Sequence, residues 1–344
     1  PGGGSFWMQV DHCHVADSQA RIGSAFYIVT ANADHHILLS NSQFSQNKAK
    51  LYHGGILYSG ANLGTQTLSV SQCTLQANDA AKDGGGFSLC ASDASQSVNM
   101  TDNIITSSSA NNGGVLSTLF VGTSTNSLVQ SFLLTGNDIV NSMASGSGGF
   151  AYLSVSRSAQ LALTVSFNHF QNVSAEFDGG VIDIEHASGF NHAVYLDQND
   201  WANNTANRGA ILSFSGNAST VDLNLENNVA EEHTDSLITL DAKTCIVHST
   251  SNNFTNNTDG HFELTATDSA SFNSNGDQIS QSVGNWLLMN AEGINTAEIS
   301  HLIAVEPQPS SILWQLVNMT GLDDTQTLSL LNVSITASLS VDMA

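Results

Sequence analysis

Two stretches of the sequence decide the fold: LTVSFNHF at residues 163–170 and VYLDQNDW at residues 194–201. In both, apolar residues stand at positions one, three and eight, and an asparagine stands at position six. Alternating apolar residues place one face of a short strand in a core. An asparagine just before the last apolar residue tolerates the left-handed backbone of a corner. Each stretch therefore predicts a short strand, a corner and a second inward side chain.

This pattern recurs along the chain in steps of 23 to 34 residues. Its last apolar residue falls at Cys13, Phe44, Leu75, Ile105, Ile139, Phe170, Trp201, Ala230, Phe254, Ile279, Leu302 and Ile335. A unit of this length cannot bury its own apolar face, whereas stacked units share a continuous core. The repeat predicts an all-β protein with one domain over residues 1–344, a right-handed parallel β-helix of about twelve coils.

A second string of paired small residues and an apolar residue follows most early copies by about nine residues. It occurs at 54–56, 84–87, 113–115, 148–150 and 179–181. Glycine permits positive φ and lets two backbone segments approach closely, so this string predicts a further bend in each coil. Leucine-rich, helical and propeller repeats fit worse, because they need denser leucine, helical periodicity or longer units.

The pairing of GG-[IVF] with N-x-[FWI]-x-x-N resembles the repeats of polymorphic outer membrane proteins, which carry GGA-[ILV] and F-x-x-N motifs in a secreted passenger. The fullest local match runs from Asn199 through Trp201 to Asn204. The third GGA position departs, since it is usually Val, Ile or Phe here. The resemblance covers most of residues 1–260. It implies a non-catalytic β-helix of the pectin-lyase-like type, used for surface display and adhesion.

Charge narrows the classes of partner. Seven basic residues face thirty acidic ones, for a formal net charge of −23. Such a chain repels nucleic acid and anionic lipid, so we expect neither as a partner. No apolar run approaches the roughly 18 residues of a membrane span. The chain begins at Pro1, so we expect a processed or excerpted piece of an extracellular or cell-surface protein.

Many parallel β-helices cleave acidic polysaccharides, and their active sites have characteristic catalytic motifs. Polygalacturonase-like sites need clustered aspartate pairs and a basic pair, yet only Asp323–Asp324 is adjacent and the basic residues are scattered. We therefore expect no catalytic or cofactor-binding residues. A neutral-glycan hydrolase with two carboxylates on neighbouring coils stays an alternative.

Two groups of residues could bind metal ions if stacking brings them together, and a solvated surface is the alternative reading for both. The first is an early histidine group: His12, His14, His35, His36 and His53. The second is a candidate Ca²⁺ group: Asp178, Asp183 and Glu185.

Covalent features are also suggested. Cys73 and Cys90 form the one disulfide worth considering, because Cys13 lies two repeats from Cys73, and we expect Cys245 in the core. Eight N-glycosylation sequons occur, close to the number that composition alone produces: Asn99, Asn172, Asn203, Asn217, Asn253, Asn256, Asn318 and Asn332. Asn203 and Asn256, just past a corner, are the better candidates.

Both ends of the chain continue the repeat and show no cap. We expect either a slice of a longer solenoid or ends that meet neighbouring copies head to tail. Three functions follow from this. The first is an extracellular structural protein that assembles end to end into a fibril or surface polymer. The second is an adhesin or passenger segment that binds a host surface or glycan. The third is a carbohydrate-active enzyme.

Overall fold

The computed structural model describes residues 4–121, 128–155, 159–186, 190–258, 260–282, 285–306, 315–320, 326–331 and 333–337. Within these ranges the regular structure is β-strand, and each paired strand runs parallel to its partner one coil away. The chain is a parallel β-solenoid of about ten turns. This is slightly fewer than the twelve expected from the repeat, although one sheet contains twelve strands.

The longest sheet holds eighteen strands. They are Gly4–Asp11, Phe26–Ala31, Ala33–Ser40, Leu57–Ser71, Phe87–Thr101, Leu116–Val121, Leu128–Thr135, Ala151–Val155, Ala159–Ser166, Ile182–His186, Asn191–Asp197, Leu212–Glu226, Ile238–Thr250, Phe262–Asn275, Asn285–Ala291, Ile294–Ser300, Gln315–Thr320 and Gln326–Leu331. Each coil contributes either one long strand or two shorter ones. The exposed and buried side chains alternate along them, as period-two strands require.

The second sheet has twelve short strands. They are His14–Ala16, Gln43–Ser45, Thr74–Gln76, Ile104–Thr106, Asp138–Val140, His169–Gln171, Asp200–Ala202, Val229–Glu231, Asn253–Thr255, Gln278–Ser280, Ile303–Glu306 and Ser334–Ala337. The third sheet has six strands: Gln19–Ala20, Lys48–Ala49, Asp79–Ala80, Ser109–Ala110, Met143–Ala144 and Ser174–Ala175.

The register of the second sheet confirms ten of the twelve repeat positions, from Phe44 to Ile279 and again at Ile335. The two others are wrong by two residues. Val15, and not Cys13, pairs with Phe44, and Ala304, and not Leu302, pairs with Ile279. In these two coils Cys13 and Leu302 themselves occupy the asparagine position, so the pattern was matched two residues too early.

The first seven coils each have a left-handed residue at three corners. In the fourth coil these are Asp102, Ser107 and Gly113, with φ values of 54°, 55° and 60°. The expectation that the patterned asparagine is itself left-handed is wrong, because Asp102 bends the chain and Asn103 follows it. This leaves the Asn103 amide free to point inward, where its Nδ2 donates to the carbonyl of Val70 at 2.9 Å.

The inward amides form a buried ladder along the solenoid. Each Nδ2 donates to the Oδ1 of the next rung at 2.8–3.0 Å. The rungs are Asn103, Asn137, Asn168, Asn199, Asn228, Asn252 and Asp277. Asp277 accepts the hydrogen bond from Asn252 and has no side-chain amide that needs an acceptor. The next residue in the column, Leu302, offers none, so the ladder ends without an unpaired amide. Beside the ladder, the main apolar core runs as one cluster from Ile28 to Leu302.

Candidate functional surfaces

Outward side chains of the longest sheet fall into columns along the solenoid axis, because every coil stacks in register on the one before. One column contains Trp7, His36, Thr67, Ser97 and Ser131. We call these five residues the hydroxyl groove. The Trp7 side chain is 74% exposed, and its ring stacks on His36 with centroids 4.2 Å apart.

Two adjoining cavities of about 260 Å³ each follow the hydroxyl groove. Trp7, His36 and Thr67 line the first, and Thr67, Ser97 and Ser131 line the second. None of the residues lining either cavity is Asp, Glu, Lys or Arg. On a chain with a net charge of −23, this strip therefore combines an aromatic face with hydroxyls and carries no fixed charge.

A second outward column lies beside the glycine corners, always three residues after the second small residue of the GG string. Its members are Tyr27, Tyr58, Ser88, Ser117, Tyr152, Asp183 and Ser213. The corner residues flank it on one side. The sequence repeat predicts this column, because its spacing from the GG string is constant. The repeat does not predict which side chains of the column contact one another.

At one end of this column, a small cavity of about 50 Å³ lies between His53, Tyr58, Asp83 and Cys90. His53 Nδ1 contacts Asp83 Oδ2 at 2.8 Å. Burial raises the pKa of Cys90 above its ordinary value, and burial raises the pKa of Tyr58 to about 12. Cys90 is therefore a neutral thiol at physiological pH, which makes it a poor nucleophile.

At the other end of this column, the charges of Asp178 and Glu185 act on the side chain of Asp183. The Tyr152 hydroxyl donates to Glu185 Oε2 at 2.5 Å. Burial, followed by the charges of Glu185 and Asp178, raises the pKa of Asp183 to about 7. The carbohydrate-cleaving alternative predicts adjacent carboxylates on one sheet, and Asp183 and Glu185 are adjacent. Asp183, however, is only 2% exposed, so a substrate cannot reach it in this conformation.

The raised pKa of Asp183 predicts a stability that falls as pH rises. The folded chain prefers the protonated carboxyl, so this stabilisation is complete below the unfolded pKa of about 3.9 and is lost as pH rises to about 7. The loss amounts to at most about 4 kcal/mol. His233 and His261 act in the opposite direction, because burial lowers the pKa of both imidazoles.

Urea unfolding of the wild type and Asp183→Asn at pH 5 and pH 8 isolates this effect, because the histidines contribute equally to both chains. We expect the asparagine variant to gain stability relative to wild type between pH 5 and pH 8. The exposed Asp138 provides the control. The stability difference between wild type and Asp138→Asn should be the same at pH 5 and pH 8. An equal wild-type-to-variant difference at both pH values would show that Asp183 titrates normally.

The five early histidines are not gathered at one point. Each has its own neighbour: His12 beside Asp11, His14 beside Ser45, His35 beside Ser59, His36 beneath Trp7 and His53 beside Asp83. In the part of the chain that the structure describes, no three His, Cys, Asp or Glu side chains are arranged to hold a metal ion. The structure thus forms neither the histidine site nor the Ca²⁺ site at Asp178, Asp183 and Glu185.

All four cysteines are free thiols. Cys73 is buried in the ladder column, where its N–H donates to Asn103 Oδ1 at 2.9 Å. Cys90 lies on an outward position against Tyr58. The Cys73–Cys90 disulfide considered from the sequence is therefore not formed. Cys245 is buried in the core, as expected.

Three sequons lie at one exposed corner, where Asn172, Asn203 and Asn256 have φ values of 53°, 50° and 55°. Asn203 Nδ2 donates to Asn172 Oδ1 at 2.6 Å. Asn99 and Asn253 are half-buried and accept hydrogen bonds from Thr101 and Thr255. The side chains of Asn217 and Asn318, and all of Asn332, lie outside the described residues. Glycan occupancy stays a prediction.

The first described coil leaves its inward side chains partly uncovered. Phe6, Met8 and Val10 are half-buried, whereas Ile37 and Leu39, which stack beneath Met8 and Val10, are fully buried. At the other end, Leu328 and Leu330 are 47% and 51% exposed. Both described end faces therefore present apolar side chains beside unpaired strand edges.

No protein-family model, curated protein or solved structure matches this chain. The β-solenoid predicted from the repeat is confirmed, whereas the relationship to polymorphic outer membrane proteins and pectin-lyase-like proteins stays a prediction. Among the described residues, no helix has the length and apolar character needed to cross a membrane.

Proposed function

We propose that this chain is an extracellular or cell-surface structural protein whose solenoids stack end to end into a fibril or surface polymer. The uncovered first coil is the observation that supports this most directly. Phe6, Met8 and Val10 occupy columns that are fully buried in the next coil. A further parallel coil placed on this face would bury them and complete the core.

Hydrogen bonding favours the same arrangement. The strand Gly4–Asp11 pairs with Ala33–Ser40 on one side, and no strand among the described residues pairs with its other edge. Such an edge is a template for a further strand. Contact between opposite ends of two copies is heterologous, and it generates a filament when it does not close into a ring.

Electron microscopy and sedimentation velocity of the 344-residue chain test the proposal. We expect filaments and a sedimentation coefficient that rises with concentration. Met8→Lys places a charge on the stacking face and should abolish both, because a buried lysine lacks a counter-charge. The matched control is Gln9→Lys on the exposed outer face of the same strand, which should still assemble. Monomeric rods at high concentration for the unaltered chain would contradict end-to-end stacking.

A second proposed function, binding of a neutral glycan, is favoured by the hydroxyl groove. The exposed Trp7 indole offers a flat apolar face, and the hydroxyls of Thr67, Ser97 and Ser131 follow it in register. Sugar rings combine apolar faces with hydroxyl groups, so this lining is complementary to them. Anionic polysaccharides are disfavoured, because the chain carries a net charge of −23.

Fluorescence titration with neutral oligosaccharides tests this second proposal. Among the described tryptophans, Trp7 is exposed whereas Trp201 and Trp286 are buried, so a ligand in the groove should change the emission of Trp7 and not that of the other two. We expect Trp7→Ala, followed by calorimetry, to weaken binding about tenfold. Tyr27→Ala, which removes an exposed aromatic from the other outward column, is the control. Equal losses in both variants would assign the binding elsewhere.

A further inference from the structure

On the longest-sheet strands of the fourth and fifth coils, three buried polar side chains lack hydrogen-bond partners at four atoms. These atoms are Gln96 Oε1 in the fourth coil, and Thr118 Oγ1, Gln130 Oε1 and Gln130 Nε2 in the fifth. Gln96 is 2% exposed and the other two residues are fully buried. An unpaired buried polar group is costly, so four such atoms in neighbouring coils require an explanation.

The third coil shows how the same columns are satisfied. There, Gln66 Nε2 donates to both the carbonyl and the hydroxyl of Ser59 at 2.9 Å. Gln66 Oε1 accepts from Gln96 Nε2 at 2.8 Å. By register, Gln130 occupies the Gln66 column and Thr118 occupies the Ser59 column. The fifth coil therefore repeats both polar residues but makes neither contact.

In these two columns, the described residues of the neighbouring coils offer no side chain that could replace these contacts. Leu89 precedes Thr118 in its column and Leu153 follows it. Leu161 follows Gln130. The unpaired atoms are thus bounded by leucines along the axis, and Gln96 is the one polar neighbour in these two columns.

We propose that one or two structural water molecules are bound here, bridging Gln96, Thr118 and Gln130. A water molecule donates twice and accepts twice. It can therefore donate to Gln96 Oε1 and Gln130 Oε1 while it accepts from Thr118 Oγ1 and Gln130 Nε2. Buried waters in proteins typically make about three such hydrogen bonds. The site takes a neutral ligand that both donates and accepts, since the Gln130 amide supplies a donor as well as an acceptor and a metal cation cannot accept a hydrogen bond.

A crystal structure of the 344-residue chain at better than about 1.5 Å resolution tests the site directly. We expect a density peak within hydrogen-bond distance of Gln96 Oε1 and at least one Gln130 amide atom. A direct Gln130-to-Gln96 hydrogen bond without such a peak would overturn the proposal. So would a peak with five or six short oxygen contacts, which identifies a metal cation.

The sign of one substitution provides a second test in solution. Thr118→Val keeps the shape of the side chain and removes the hydroxyl. If water bridges the hydroxyl, the variant should unfold at lower urea than wild type, because a hydrogen bond is lost. If the hydroxyl is dry and unpaired, removing it should shift the midpoint to higher urea. Thr118→Ser, which keeps the hydroxyl and loses the methyl group, measures the contribution of the methyl group separately. A Thr118→Val midpoint at or above that of wild type overturns the water site.

Discussion

Replacing Gly114 with alanine is expected to destabilise the solenoid by about 3 kcal/mol or more, because the added methyl has nowhere to go. A Cβ at Gly114 would lie 2.1 Å from the carbonyl oxygen of Gly149 and 2.8 Å from that of Met143. Both atoms are backbone in the next coil, so the clash cannot be relieved by a side-chain rotation. It can be relieved only by separating two coils, which breaks the parallel hydrogen bonds between them.

Urea unfolding followed by circular dichroism measures the loss, and Gly60→Ala is the matched control. A Cβ at Gly60 would first meet the Val29 side chain at 3.4 Å, which is ordinary contact. Gly60 also lacks the positive φ that would strain an alanine. We expect the control to change stability by less than about 1 kcal/mol. Similar losses for both variants would show that the coil spacing at Gly114 adjusts freely.

The paired glycines show how far the sequence alone could go. Their repetition predicts a bend and a close backbone approach in each coil that carries the pair, and both are confirmed at the five glycine pairs from Gly54 to Gly180. The division of labour within the pair was not predictable. Gly113 has a φ of 60° and makes the turn, whereas Gly114 provides the close approach. Sequence letters are identical at the two positions, and only the stacking of the next coil distinguishes them.

The core columns were predictable because alternation and repeat length are both local properties of the chain. The errors occur at Cys13 and Leu302, where the asparagine position holds another residue and the pattern shifts by two. Leu302 directly follows the last rung, Asp277, and Cys13 lies three coils before the first rung, Asn103. A repeat is therefore least reliable where its physical reason, the stacking of equivalent side chains, comes to an end.

The candidate surfaces were less predictable, because they depend on which loops cover which strands. The face of Trp7 could not be assigned from sequence, yet it is the most exposed large apolar side chain described. The sequence suggests either a Ca²⁺ site or a solvated loop for Asp183, but its side chain is buried. The exposure of neither side chain follows from periodicity. Both residues occupy outward-facing positions, and the surrounding segments cover them to different extents.

Replacing Asn168 with leucine is expected to cost on the order of 4 kcal/mol, because two buried donors lose their acceptor at about 1–3 kcal/mol each. The N–H and Nδ2 of Asn137 both donate to Asn168 Oδ1 at 2.9 Å. Leucine accepts neither bond. It also leaves the carbonyl of Leu134 without the Asn168 Nδ2 donor, which lies at 2.9 Å.

Chemical denaturation of Asn168→Leu measures this cost, and Asn224→Leu is the control. The control makes the same substitution on the outer face, where Asn224 donates to Asp222 at 3.1 Å. We expect a small change for Asn224→Leu, and comparable losses for the two variants would mean that the ladder contributes little.

Asn168→Asp should also be destabilising, although Asp277 is tolerated. A carboxylate at position 168 would face Asn199 Oδ1, so two acceptors would meet. At position 277 the next residue in the column is Leu302. The direction of donation along the ladder therefore decides where an aspartate is permitted.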